Sequence, residues 1–121
     1  MIITPVKNPI VFKYKSILKT EWLKGNMPTV KKGIYGGELK PCNVTLEHIK
    51  PHSKGGKTEL KNLALAVDVN NWGRSNKPFK WFFNKAVFEE YCSQFTDIKL
   101  PDFDGKVYIE ALRKTVEKVV K

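Results

Sequence analysis

The chain has 121 residues, with 22 Lys and Arg against 12 Asp and Glu and a net charge of +10. That length suits one domain with a real core, and no apolar run approaches the ~18 residues that span a membrane. Cys42 and Cys92 form no CxxC pair, which argues against a zinc ribbon and fits two free thiols in a reducing cytoplasm.

The charge is unevenly distributed. Residues 1–80 carry 15 basic and 5 acidic side chains, which is all of the +10, whereas residues 81–121 carry 7 of each. A basic half beside a neutral half reads as an electrostatic footprint, and nucleic acid is the usual partner. The competing reading is a solvated, solubilising surface.

Taken in chain order, the opening MIITPVKNPIVFK lacks a basic region followed by a long apolar one, so no secretory leader is expected. Asn8 can cap a helix with Pro9 at its first position, and Val11, Tyr14, Leu18 and Trp22 follow near-helical spacing up to Gly25. A strand over 10–16 is the alternative. Residues 26–43 contain Pro28, Gly33, Gly36, Gly37 and Pro41 and read as loop or short hairpin.

VTLEH at 44–48 reads as a strand. A long polar loop follows over 49–62, turning at Gly55 and Gly56, and LALAV at 63–67 reads as the returning strand. Asp68 can cap a short helix from Val69 through about Ser75, which Pro78 stops. FKWFFNKAVFEEYCSQF at 79–95 reads as a core helix, with a base-stacking surface as the rival. Asp104 can cap the last helix, where Ile109, Leu112, Val116 and Val119 form an apolar stripe and Glu110 can pair with Lys114. The expectation is a single α+β domain over 1–121. Its core is 44–77, between an N-terminal segment 1–43 and a helical, structural segment 78–121.

Both histidines, His48 and His52, lie in LEHIKPHSKGG. Glu47 precedes His48, Asn62 follows it by 14 residues across the loop, Asn71 comes nine later, and Arg74 three after that. Phosphodiester hydrolysis needs this kit. An imidazole with an unperturbed pKa of about 6.5 can take a proton from attacking water. Oxygen donors from Glu47 and Asn71 suit Mg²⁺, which keeps positions open for water and phosphate. Arg74 can grip a phosphate through its planar fork. One objection is that adjacent strand residues point to opposite sides, so the strand must bend or end between Glu47 and His48.

LEHIKPHSKGG, NLALA and NNWGR together resemble the HNH endonucleases with the ββα-metal (His-Me finger) core. The match runs in order and spacing over 44–74. The gaps of 14 and nine are also similar to those in the HNH domains of RNA-guided CRISPR nucleases. The resemblance implies two short antiparallel strands and a helix, flanked by N- and C-terminal helices. It implies His48 as general base, Glu47 and Asn71 as ligands of Mg²⁺ or Mn²⁺, Asn62 as a brace on the loop, and Arg74 on phosphate. Lys50, His52, Lys54, Lys57 and Lys77 are the expected backbone contacts. Two departures stand out. The acidic ligand is Glu where Asp is commoner, and the last position is Asn, an HNN variant. The paired CxxC motifs of many relatives are absent, so no structural zinc is expected.

The expected function is a cytoplasmic, metal-dependent endonuclease that nicks one strand of double-stranded DNA per active site, with no membrane partner. Compact stand-alone nucleases of this kind resemble those of phages and mobile elements. Two alternatives stay open: a basic nucleic-acid-binding protein on a decayed core, and an RNA-directed nuclease.

Overall fold

The structure is a computed structural model that describes residues 17–51, 54–74 and 77–121, without the side chains of Asn71 and Trp72. It is α+β, with two small antiparallel sheets and four helices among the described residues. Helix α1 is described over 17–23, and the chain leaves it through Gly25 at φ 83°, a left-handed turn that suits glycine. The expected cap at Asn8, and the alternative strand at 10–16, lie outside the described residues. Loop 26–43 holds isolated bridges between Lys32 and Glu38 and between Ile34 and Gly36, in keeping with a loop or short hairpin.

Strands β1 (Val44–His48) and β2 (Leu63–Val67) pair antiparallel, with Val44 opposite Val67 and His48 opposite Leu63. All five residues of β2 are buried, as its unbroken apolar run requires of a strand covered on both faces. Helix α2 (Asp68–Arg74) follows directly, and Asp68 Oδ1 accepts from the Val69 amide at 2.6 Å. The order is strand, long loop, strand, short helix.

The stretch 79–95 differs from one continuous helix. It forms a 3-10 turn at Phe79–Trp81, a break, and helix α3 (Lys85–Ser93). The break sits at Asn84, whose side chain accepts from the Val87 amide at 3.1 Å and so starts a new helix. Phe79, Phe88, Tyr91 and Phe95 are core residues, while Trp81 is 67% exposed. A small hairpin of β3 (Lys99–Leu100) and β4 (Phe103–Asp104) then leads into α4 (Gly105–Val120). Asp104 caps α4 as expected, accepting from Lys106 and Val107 at 3.0 and 3.2 Å. The expected Glu110–Lys114 pair gives way to Arg113 on Glu89 of α3, at 2.5 and 2.6 Å.

Helix α4 lays Tyr108, Ile109, Leu112 and Val116 into the core. Burying such side chains stabilises by about 1.5–3 kcal/mol each. Its tyrosine also reaches the sheet: Tyr108 Oη donates to the Leu63 carbonyl at 2.7 Å and meets Tyr91 Oη at 2.9 Å. Tyr91 Oη in turn accepts from the Leu65 amide at 3.0 Å, and the Ile34 amide donates to the Leu65 carbonyl at 2.9 Å. Burial holds both tyrosine pKa values above the ordinary range. Cys42 is exposed and Cys92 buried, both as free thiols, and burial pushes Cys92 up to about 11. No helix among the described residues is long and apolar enough to cross a membrane.

Candidate functional site

The end of β1 is where the polar residues gather. Glu47 is buried, 5% exposed, and its Oε2 takes two contacts: the Tyr35 hydroxyl donates to it at 2.6 Å, and Arg74 Nη1 lies 3.1 Å away. Among the described residues, Oε1 accepts no hydrogen bond. Desolvation by burial, then the Glu47 charge and its hydrogen bond, raise the Tyr35 pKa well above the usual phenol value. Tyr35 is therefore a neutral donor at any ordinary pH. Its ring packs on Phe79, with centroids 5.8 Å apart.

Arg74 is not presented to solvent, so the expected phosphate fork is corrected. The guanidinium is 1% exposed and spent on the protein itself. Nη1 donates to the His48 carbonyl at 2.6 Å and to Tyr35 Oη at 3.2 Å, Nη2 donates to the Ile49 carbonyl at 2.8 Å, and Nε donates to the Lys77 carbonyl at 3.0 Å. It also lies over the Phe79 ring, 5.4 Å from the centroid. Two consecutive carbonyls, at the last residue of β1 and the one after it, are thus held by one planar group from α2. Only Arg among the basic residues has a rigid fork suited to this.

The expected bend or strand end between Glu47 and His48 does not occur: both lie in β1, opposite Ala64 and Leu63, and their side chains diverge as strand alternation requires. Glu47 turns to the Tyr35 and Arg74 side, while the His48 ring reaches the loop, with Nε2 3.1 Å from Thr58 Oγ1. The hydroxyl can donate or accept, so the bond fixes the ring's rotation without fixing its tautomer. The chain bends after His48, where Arg74 holds it.

Asn62, 5% exposed, closes the loop from the far end. Its Oδ1 accepts from the Lys50 amide at 2.8 Å, and its Nδ2 donates to the carbonyls of Lys50 and Lys57 at 3.0 and 2.9 Å. One carboxamide thus ties both arms of the loop to the start of β2, and Thr58 follows Lys57 directly. Gly56 is required for that closure, because a Cβ there would lie 1.8 Å from the Lys50 carbonyl oxygen.

Of the other expected site residues, Asn71 lies on α2 but its side chain is outside the described residues, and His52 is outside them altogether. Lys50, Lys54 and Lys57 are exposed on one groove, and Lys77 is exposed away from it. Residue types and spacing did not single out Tyr35 or Thr58. The only sign of Tyr35 is its setting, a lone aromatic among glycines in GIYGG, and Thr58 carries no sign in a polar loop. No cluster of three His, Cys, Asp or Glu suited to a metal occurs among the described residues. Comparison with protein-family models, curated proteins and solved structures finds no match to this chain.

Proposed function

We propose that the protein is a metal-dependent endonuclease of the HNH type, built on a ββα-metal core of β1, β2 and α2, that hydrolyses phosphodiester bonds in DNA. The observation that carries the reading is the end of β1. There a buried carboxylate and an imidazole come from consecutive residues, and the backbone beyond them is clamped by Arg74 and stapled by Asn62. Two buried polar side chains holding one loop in place suit a group whose position matters to within fractions of an ångström.

In this reading His48 takes the proton as water attacks phosphorus, and Thr58 sets the ring's orientation for that transfer. Glu47 Oε1 and the Asn71 amide are the donors that would hold a metal. Hard oxygens of this kind fit Mg²⁺ or Mn²⁺ rather than Zn²⁺. Arg74 beside Oε2 offsets part of the carboxylate charge, which argues for weak affinity. Such a metal, when bound, would stabilise the charge that develops on the leaving 3′ oxygen. Tyr35 and Arg74 orient Glu47 and leave Oε1 for that duty.

The experiment is incubation with supercoiled plasmid in Mg²⁺, Mn²⁺, Zn²⁺ or EDTA, using the wild type and His48→Ala. Nicking is expected with Mg²⁺ or Mn²⁺, poorly with Zn²⁺ and not with EDTA. His48→Ala should abolish it while keeping DNA affinity within a few-fold. Tight binding without any cleavage by the wild type would instead favour an accessory binding protein. Cleavage of RNA alone would favour an RNA-directed nuclease.

A further inference from the structure

A groove of about 650 Å³ lies beside the site. The loop provides one wall through Lys50, Lys54 and Lys57, and Lys61 continues it. Lys80 of the 3-10 turn and Lys118 in the last turn of α4 join the lining from two other elements. Six lysines therefore face a space lined by one carboxylate, Glu59. Of these six, only Lys61 has an acidic partner among the described residues, Glu59 itself at 3.7 Å, and that pair is exposed. Pro51, Pro78 and Phe79 add an apolar surface. Trp81, next in sequence to Lys80, is 67% exposed and lies outside the residues that line the groove.

Ammonium groups gathered around one groove repel one another, so the arrangement stabilises the fold poorly and suits an anion among them. A groove of lysines edged by apolar surface suits a single nucleic-acid strand, phosphates on the cations and base faces against Pro51 and Pro78. We infer that this groove binds one single strand of nucleic acid, leading it past the Asn62-stapled loop. The assignment deepens the nuclease reading and rests on its nucleic-acid substrate, not on cleavage. It also gives the neutral C-terminal segment a binding role, through Lys118.

The test is fluorescence anisotropy with a labelled oligodeoxythymidylate in EDTA, so that no strand is cut. The variant is Lys80→Glu with Lys118→Glu. The control is Lys40→Glu with Lys106→Glu, two exposed lysines off the groove with the same change in net charge. Each single-strand phosphate contact contributes about 0.7 to the slope of log affinity against log salt. Losing two should lower the slope by roughly 1.4 and weaken binding about 25-fold near 0.1 M salt, relative to a salt-free-of-effect limit near 1 M. The control should stay within about two-fold of wild type by the same reasoning. Equal losses in variant and control would overturn the assignment, since net charge alone would then explain binding. So would ATP competing as well per phosphate as the oligonucleotide, which would make the groove a nucleotide pocket. A blunt duplex losing affinity while the single strand does not would overturn it too. Plasmid that is never nicked alongside the predicted anisotropy would sink the nuclease reading and leave the groove standing.

Discussion

The hairpin of β1 and β2 is flanked by two buried polar clusters that solve the same problem with different chemistry. On the β2 side, Tyr91 and Tyr108 satisfy backbone groups through neutral hydroxyls. On the β1 side, Tyr35, Glu47 and Arg74 bury a carboxylate and a guanidinium. Neutral hydroxyls are cheap to bury when paired, whereas two charges cost several kcal/mol each to desolvate, and apolar replacements often do as well. A cluster that only held the strand would gain nothing from charge. The β1 side also leaves Oε1 without a hydrogen bond among the described residues, while the β2 side makes each hydroxyl serve two partners. The contrast separates a fully satisfied cluster from one that keeps a carboxylate oxygen open, the feature on which the proposed metal role rests.

Replacement of Arg74 should break the comparison hardest. Arg74→Ala leaves Glu47 buried without its counter-charge and frees three carbonyls. Removing one partner of a buried pair costs about 3–5 kcal/mol, to be read from the midpoint of urea unfolding. Adding Glu47→Gln should recover part of that stability, because the stranded charge is gone, but plasmid nicking should not return. Full stability in Arg74→Ala would mean the pair holds nothing together.

Asn62→Ala comes next. It removes three hydrogen bonds and orphans the Lys50 amide, a loss of about 1–3 kcal/mol. Nicking should fall much further than the folded fraction does, since the loop carrying Thr58 loses its tie. Activity that tracks the folded fraction would reduce Asn62 to a packing residue.

Tyr108→Phe should be the mildest. It forfeits the bond to Leu63 and one to Tyr91, about 1 kcal/mol, and should leave nicking by the folded protein unchanged. A deficit in rate that outlasts correction for folding would show the two clusters to be coupled.

Local patterns reported the frame well. VTLEH and LALAV carry the β signal and are the two strands, and Asp104 caps the final helix, because short-range chemistry decides these elements. The aromatic run at 79–95 misled because Asn84 reads equally as a helix interior or a cap, and only packing chooses. The 99–104 hairpin is too short for any period to register. At the site, spacing pointed to Glu47, His48, Asn62 and Arg74, since they sit on one strand–loop–strand–helix unit. The role expected of Arg74 did not follow, because residue type cannot tell whether a guanidinium faces solvent or three carbonyls of its own chain. Tyr35 was illegible for a related reason: its contact with Glu47 spans a loop whose path no local rule sets. The apolar stripe of the last helix signals packing alone, and Lys118 lines a groove only because α4 returns to the loop.

The hydroxyls of Tyr91 and Tyr108 and the amide of Ile34 occupy positions along β2 that a third strand would otherwise fill. A two-stranded ribbon normally offers its outer row of amides and carbonyls to any extended peptide, including a second copy of itself. Here that row is taken by side chains and by a loop in which Gly33 lies flat against β2, where even a Cβ would come within 3.0 Å of Ala66 Cα. That edge of β2 is closed to templated growth. The very apolar β2 is thereby spared the fibrillar association its sequence would invite if uncovered.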